Sequence, residues 1–180
     1  LGAYPEEIRE RMLSEWKVKC NLTKFKFMSF MATESEFLKW KAEGLPSDGL
    51  SMQNGLIITN SVQTPYVIDP NSQAVRWLQK NLSDRPLEVV MPNEHRFVPT
   101  VELSVRFGKT LIITEMDGVM PRLYPLLRKD LTRQGPRWVV PIGDKMLDYN
   151  DNFELFLVTR EPNPDIPAPA SACITEVNFT

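Results

Sequence analysis

The sequence has few of the side chains that most often carry hydrolytic or metal-dependent chemistry. His95 is the only histidine, so no Ser-His-Asp triad, HExxH motif or multi-histidine metal site can form within this chain. Cys20 and Cys173 lie near opposite ends, outside any CxxC or Cys/His pattern, and we expect buried thiols instead of a disulfide or a metal site. The serine in Gly44–Gly49 stands one position too late for a nucleophile elbow. Hydrolase chemistry of these kinds is excluded.

Long apolar runs and blocks of a single charge are also missing. The longest apolar runs, such as Leu56–Ile58 and Leu111–Ile113, are far shorter than the roughly 20 residues that span a bilayer. The 21 Lys and Arg residues against 23 Asp and Glu residues give a formal net charge of -2, without a basic block. Because phosphate binding needs clustered cations, a nucleic-acid partner is not expected. We expect a soluble, intracellular protein that does not insert into a membrane.

The remaining composition, 42% hydrophobic and 24% charged, is that of an ordinary globular protein. A chain of 180 residues can form a core without disulfides or metals, so one domain with appendages is expected. Residues 1–46 predict an N-terminal helical appendage. It contains a helix from about Pro5 to Lys19, followed by an aromatic-rich stretch that ends at the helix-stop signal Gly44-Leu45-Pro46.

In residues 47–180, short apolar strands alternate with helices, the first of which Ser47 and Asp48 can cap. A hairpin inserted over 138–149 contains Pro141, which favours an edge position. The proline-dense segment 160–170 predicts a surface loop without regular structure. Five predicted strands separated mainly by helices indicate a three-layer αβα sandwich with a five-stranded, mainly parallel sheet. The predicted strands are 66–68, 87–90, 111–114, 153–159 and 174–179, and the predicted helices between them are about 70–81, 94–106 and 121–132.

Ligands of such sheets bind at the carboxyl ends of the strands. After the first strand, the segment Asp69-Pro70-Asn71-Ser72-Gln73 has no glycine to wrap phosphates and no lysine to bind them, and Asp69 would repel them. Gly108-Lys109-Thr110 resembles the end of a P-loop, but it lacks the first glycine of that motif and runs into a strand. The sequence therefore predicts a degenerate P-loop position that does not bind ATP.

The loop after the third strand carries the acidic residues nearest to this position. Thr114 stands where an ATPase places its metal-binding aspartate, so that only Glu115 remains of a degenerate Walker B motif. Glu115 and Asp117 together could hold Mg²⁺, although a solvated or structurally hydrogen-bonded pair is the commoner outcome for such carboxylates. The chain stops directly after an apolar strand, and we therefore expect a fragment of a longer protein.

Eight short strings occur in an order that resembles the fifth AAA+ module of a dynein heavy chain, over nearly the whole sequence. From Phe107 to Asn178 the similarity is closer to the cytoplasmic dynein-2 type of intraflagellar transport than to axonemal heavy chains. The strings are Gly44-Leu45-Pro46-Ser47-Asp48, Val67-Ile68-Asp69-Pro70 with Gln73-Ala74, Arg106-Phe107-Gly108, Pro125-Leu126-Leu127, Gln134-Gly135, Ile142-Gly143-Asp144, Asp148-Tyr149-Asn150 with Phe153, and Val177-Asn178-Phe179-Thr180.

This resemblance implies a ring of six modules that moves toward microtubule minus ends, with nucleotide sites in modules one to four. Module five would have no cofactor of its own, while ATP and Mg²⁺ bind elsewhere in the ring. Glu161 would occupy the sensor position and Cys173 the arginine-finger position, so this module would neither hydrolyse ATP nor complete a neighbour's site. The implied role is that of a non-catalytic mechanical element.

The resemblance also implies partners and a location. The partners would be modules four and six of the same chain, the microtubule through the stalk, and dynein accessory chains. The stalk would precede residue 1, and the small helical subdomain would follow residue 180. The implied location is the cytoplasm and cytoskeleton, including the cilium or flagellum.

Two other functions stay open at this point. The first is a nucleotide- and Mg²⁺-binding ATPase module that uses Glu115 and the loop after Ile68, and detectable ATP binding would distinguish it. The second is a free-standing interaction domain unrelated to motors, which the length of the parent gene would decide.

Overall fold

The computed structural model describes residues 4–22, 25 and 27–180, which form two compact units divided after Phe37. Residues 1–3, 23, 24 and 26, which the prediction of a helical appendage includes, lie outside the described residues. In the first unit, helix α1 spans Glu6–Lys19, as predicted, and buries none of its side chains. Helix α2 spans Phe27–Met31, and helix α3, Glu34–Glu43, continues into the second unit.

The second unit, from Leu38 to Thr180, holds all the strands of the described chain. A 3-10 turn at Pro121–Leu123 precedes helix α7. The other elements, in chain order, are α4 (Gly49–Asn60), β1 (Thr64–Ile68), α5 (Gln73–Asn81), β2 (Leu87–Val90), α6 (Phe97–Phe107), β3 (Thr110–Ile113), α7 (Tyr124–Leu127), β4 (Thr132–Gln134), β5 (Arg137–Ile142), β6 (Lys145–Asp148), β7 (Glu154–Thr159), α8 (Ala168–Ser171) and β8 (Ile174–Asn178).

Five strands form one parallel sheet in the order β2-β3-β7-β1-β8, which confirms the predicted sheet. Each of its central strands is a short run of apolar residues, the pattern of a strand that is covered on both faces. In the register of this sheet, Leu157 of β7 stands beside Tyr66 of β1 and Ile113 of β3. The carboxyl ends of these three strands therefore meet at one edge.

Helices cover both faces of the sheet. On one face, Tyr66, Ile113 and Leu157 pack in a core with residues of α6. On the other face, Phe156 lines one cavity together with Ile58 of α4 and Leu78 of α5. The side chains of both faces are buried, and the predicted α/β sandwich is therefore confirmed.

The region between β3 and β7 differs from its prediction. The predicted helix over 121–132 is too long, because α7 ends at Leu127 and Lys129 adopts a left-handed backbone with φ 53°. Thr132–Gln134 instead forms β4, so the predicted hairpin is part of a three-stranded antiparallel sheet, β4-β5-β6. Pro141 lies in the middle strand, not at an edge. It is tolerated there because β4 pairs only with residues 137–139 of β5.

Two smaller predictions are wrong. The segment 160–170 is not wholly irregular, because α8 begins at Ala168, where Pro169 occupies a first-turn position that needs no N–H donor. The thiols are free, as expected, but they are not buried: Cys20 is exposed and Cys173 is half-buried. Cys20 follows the end of α1, a helix without a buried face, and Cys173 lies in the turn before β8.

Candidate functional site

The carboxyl edge of the parallel sheet brings together three loops that carry the candidate residues. Because β7 lies between β3 and β1, the loops after these strands are neighbours. They contain Asp69–Gln73, Thr114 with Glu115, and Glu161. Cys173 is at the opposite edge, since it precedes β8, which runs parallel to β1. The proposed arginine-finger position is therefore separated from the other three.

The loop after β1 folds back on its own aspartate. Asp69 is only 1% exposed, and its two carboxylate oxygens accept hydrogen bonds from the backbone N–H groups of Gln73 and Val75, both at 3.0 Å. Ser72, with φ 55°, turns the chain into α5. The N-terminus of a helix favours an anion. Here that anion is supplied by the chain itself.

Glu115, in the loop after β3, is paired with a cation. The Arg160 guanidinium donates to both carboxylate oxygens of Glu115, at 2.7 Å and 2.9 Å. The hydrogen bond to Glu115 and its negative charge raise the pKa of Arg160 above its ordinary value. Both side chains are partly exposed to solvent, at 60% for Arg160 and 36% for Glu115. This two-pronged geometry fixes the orientation of the carboxylate.

Asp117, the other carboxylate considered as a Mg²⁺ ligand, has a different hydrogen-bond partner from Glu115. The Thr159 hydroxyl donates to Asp117 at 2.6 Å and accepts from the backbone N–H of Glu161 at 3.0 Å. Glu161 itself is exposed, and its carboxylate accepts a long hydrogen bond, 3.4 Å, from the N–H of Asn163. Among the described residues, no group of three His, Cys, Asp or Glu side chains is placed to hold a metal ion.

A buried tyrosine in β1 forms hydrogen bonds with the backbone of the loop after β3. The Tyr66 hydroxyl donates to the carbonyl oxygen of Met116 and accepts from the N–H of Gly118 at 3.2 Å. Burial is the main cause that raises the pKa of Tyr66 above its ordinary value. No motif in the sequence marks Tyr66, Thr159 or Arg160 as residues of this site. Their one signal was their place in, or directly after, an apolar strand.

Two cavities differ in their relation to this edge. A shallow depression of about 360 Å³ lies beside the loop after β3, lined by Glu115, Asp117 and Asp165 among others. A cavity of about 400 Å³ lies at the other edge of the sheet, where Pro65 of β1 and Leu155 of β7 contribute to its wall. The larger cavity is therefore remote from the three loops. In the described part of the chain, no helix has the length and apolarity needed to cross a bilayer.

The profile of the family described as the ATP-binding dynein motor region matches residues 38–180. The chain belongs to this dynein family. The match covers the whole of the parallel sheet, so the α/β fold described above is the fold of a dynein motor-region module.

The sequence identity to known dyneins differs between dynein types. The chain is 57% identical over 180 residues to cytoplasmic dynein 2 heavy chain 1 of Homo sapiens, and 51% identical over 183 residues to the same protein of Chlamydomonas reinhardtii. It is 33% identical over 188 residues to the flagellar outer arm dynein gamma chain of Chlamydomonas reinhardtii. These alignments cover 100% of this chain and 4% of each relative.

These findings confirm the predicted resemblance to a dynein heavy chain, with greater similarity to the dynein-2 type. They give no support to an interaction domain unrelated to motors. The chain spans only about 4% of the length of its relatives. The number of the module in its ring and the roles of the candidate residues stay predictions.

Proposed function

We propose that this chain is a non-catalytic, structural and mechanical module of a dynein-2-type motor ring, the fifth of six. It contributes mechanically to ATP-driven, minus-end-directed movement on microtubules in intraflagellar transport. Membership of the dynein motor-region family and the dynein-2 relatives support the setting. The observation that carries the non-catalytic role is the Asp69 carboxylate at the N-terminus of α5.

The Asp69 carboxylate competes with a nucleotide in two ways. It already accepts hydrogen bonds from the N–H groups of Gln73 and Val75, which a phosphate at this helix N-terminus would need. It also places a carboxyl group next to any incoming phosphate, and like charges repel strongly in a site of low dielectric. Binding of ATP would require this buried side chain to leave its partners.

The state of Glu115 also supports a non-catalytic module. In an active module, a carboxylate at this position orients the attacking water, which requires a free oxygen directed at the nucleotide. Here both oxygens of Glu115 accept hydrogen bonds from Arg160. Thr114 carries no carboxylate to hold a metal ion beside it.

The proposed surroundings follow from the same family. Modules four and six of the same chain would be the direct neighbours, with ATP and Mg²⁺ bound at other modules of the ring. The motor would reach the microtubule through its stalk and would carry accessory chains. Relatives named as cytoplasmic dynein 2 and as a flagellar outer arm dynein support a location on the cytoskeleton and in the cilium or flagellum.

Isothermal titration of the 180-residue chain with ATP and with ADP, each with Mg²⁺, tests the proposal. We expect no binding in or below the micromolar range. A nucleotide-binding module of a dynein motor, titrated in the same buffer, serves as the positive control. Micromolar binding, or an experimental structure with nucleotide ordered beside Asp69, would contradict the proposal.

The rival function is a nucleotide- and Mg²⁺-binding module that uses Glu115 and the loop after Ile68. One observation favours it: the matched family is described as ATP-binding. If this rival is correct, the titration gives saturable binding that depends on Mg²⁺, and the substitution Glu115→Gln weakens it. If the non-catalytic function is correct, neither the native chain nor the variant binds.

A further inference from the structure

Thr159, the last residue of β7, touches all three loops at the carboxyl edge. Its carbonyl oxygen accepts a hydrogen bond from the N–H of Asp69, at 2.8 Å, in the loop after β1. Its hydroxyl donates to Asp117 in the loop after β3, and accepts from the N–H of Glu161 in its own loop. The residue is completely buried. One residue therefore links three segments that are distant in sequence.

Neighbouring contacts extend this link in both directions. Asp69 connects it to the first turn of α5 through its carboxylate. The N–H of Met116 donates to the carbonyl oxygen of Val158, at 3.0 Å, which gives the loop after β3 a second bond to β7. Arg160 holds Glu115 in the same loop. The loops are thus connected by bonds within the chain.

The position of this network suggests its role. In sheets of this class, ligands bind between these loops at the carboxyl ends of the strands. We propose that Thr159 is a positioning residue that holds the three loops in one arrangement without a ligand, so that the carboxyl edge behaves as a rigid part of the module. This inference rests on the mechanical function proposed above, because an edge held in this way suits a module that carries load.

The hydroxyl of Thr159 is a more decisive contact than the Arg160–Glu115 pair. Exposed ion pairs contribute little to stability, and both members of that pair are partly exposed. The Thr159 hydroxyl is buried with two partners at short distances. Its removal leaves Asp117 without its donor and the N–H of Glu161 without its acceptor.

Hydrogen exchange of backbone amides, resolved by residue in the 180-residue chain, tests this role. Thr159→Val keeps the shape but removes the hydroxyl, while Thr159→Ser keeps the hydroxyl. We expect Thr159→Val to speed exchange by more than about threefold at Glu161 and at residues 116–118, with Thr159→Ser close to the native chain. Thr110→Val, another buried threonine on a neighbouring strand, is the matched control and should leave these amides unchanged.

A second variant covers the case in which Thr159→Val does not fold. Asp117 is exposed, so Asp117→Ala should fold, and it removes the acceptor of the Thr159 hydroxyl. We expect faster exchange at Glu161, on the far side of that hydroxyl. Asp165→Ala, an exposed carboxylate on the same depression, is its control.

Two results would overturn the inference. One is exchange at Glu161 and 116–118 within about threefold of the native rate in both Thr159→Val and Asp117→Ala. The other is an equal acceleration in Thr159→Ser, which would show a packing effect and not a hydroxyl effect. The nucleotide titration of the native chain tests the proposed function separately. Binding of ATP would refute the non-catalytic role while the exchange results still decide the role of Thr159.

Discussion

At the scale of single residues, Asp69 is a buried carboxylate whose partners are all backbone N–H groups of one helix. The burial of this carboxylate is compensated by hydrogen bonds, since each of its oxygens accepts one from a donor at 3.0 Å. Because Asp69 also bonds to β7 through its own N–H, it joins the start of α5 to the centre of the sheet. The side chain therefore has a structural role even if no ligand ever reaches this edge.

The first prediction concerns the stability that this residue provides. Asp69→Ala should lower the free energy of unfolding by about 1–3 kcal/mol, because it removes the cap of α5 and leaves two N–H groups without acceptors. Urea denaturation measures this loss. The exposed Asp84, in the turn after α5, is the control, and Asp84→Ala should change stability by less than about 0.5 kcal/mol. Equal losses in both variants would contradict the capping role.

The second prediction concerns pH and Tyr66. Burial raises the pKa of Tyr66 in the folded chain, while an unfolded tyrosine has a pKa near 10. The folded state therefore holds this proton more tightly, and the associated stability is fully present below about pH 10 and is lost as pH rises through the folded pKa.

Urea titrations between about pH 9 and 11 check this dependence. Tyr66→Phe should lower stability at neutral pH by about 1–2 kcal/mol, because Met116 and Gly118 lose their hydrogen-bond partner. The variant should also show a weaker loss of stability above pH 10 than the native chain. Tyr4→Phe, at an exposed tyrosine, is the control. An identical alkaline loss in the native chain and Tyr66→Phe would refute the assignment.

At the scale of elements, β3 is the strand most completely enclosed by its neighbours. Leu111, Ile112 and Ile113 are all fully buried, and β3 is paired on both sides, with β2 and β7. Such a strand has no exposed face on which a smaller side chain could be tolerated.

The third prediction uses this enclosure. Ile112→Ala should cost about 2–5 kcal/mol, because the cavity that it leaves can close only partly in a packed core. Denaturant titration gives the loss. Val62→Ala, at a residue that is 88% exposed, is the control and should be almost neutral. A loss below about 1 kcal/mol for Ile112→Ala would mean that β3 is not part of a tight core.

The sequence predicts elements whose signal is local and misses those that depend on partners. Buried strands such as β3 are short runs of branched residues, and Asp48 caps α4 as its residue type indicates. In contrast, β4 is three exposed residues with no apolar pattern, and it is a strand only because β5 pairs with it. The short helix α8 is also missed, because the prolines around Ala168 mask the helical signal of so short a segment.

The candidate site likewise has features that the sequence reveals and features that it does not. The missing glycines and lysine of the loop after β1 can be read directly, and so can the charge of Asp69. The partners of Glu115 and Asp117 cannot be read, because Arg160 and Thr159 are more than 40 positions away in the chain. Only the pairing of β3 with β7 brings these side chains together.

At the scale of the whole molecule, the chain spans about 4% of the length of its dynein heavy-chain relatives. Its proposed role is therefore measured best in the intact motor. A module that only carries load should tolerate the loss of its Walker-type glutamate, whereas an active module should not.

The fourth prediction is that Glu115→Gln in the intact motor leaves microtubule-stimulated ATPase activity within about twofold of the native rate. The physical reason is that Glu115 is paired with Arg160 and, in the proposed non-catalytic module, would have no nucleotide to act on. The corresponding substitution in the first module is the control, because it removes the group that orients the attacking water. A drop of about tenfold or more, with folding intact by circular dichroism, would favour the ATPase alternative.

The order of strands in the sheet also determines when the sheet can form during synthesis of the chain. β7 lies between β3 and β1, yet it follows both of them by many residues. Until residue 159 has left the ribosome, β2 and β3 can pair only with each other, and β1 has no neighbour on either side, since β8 comes later still. Apolar strand edges are therefore exposed during most of translation, and contacts of long sequence separation form late. We therefore expect the nascent module to be more prone to aggregation before residue 159 is available than after the sheet is complete.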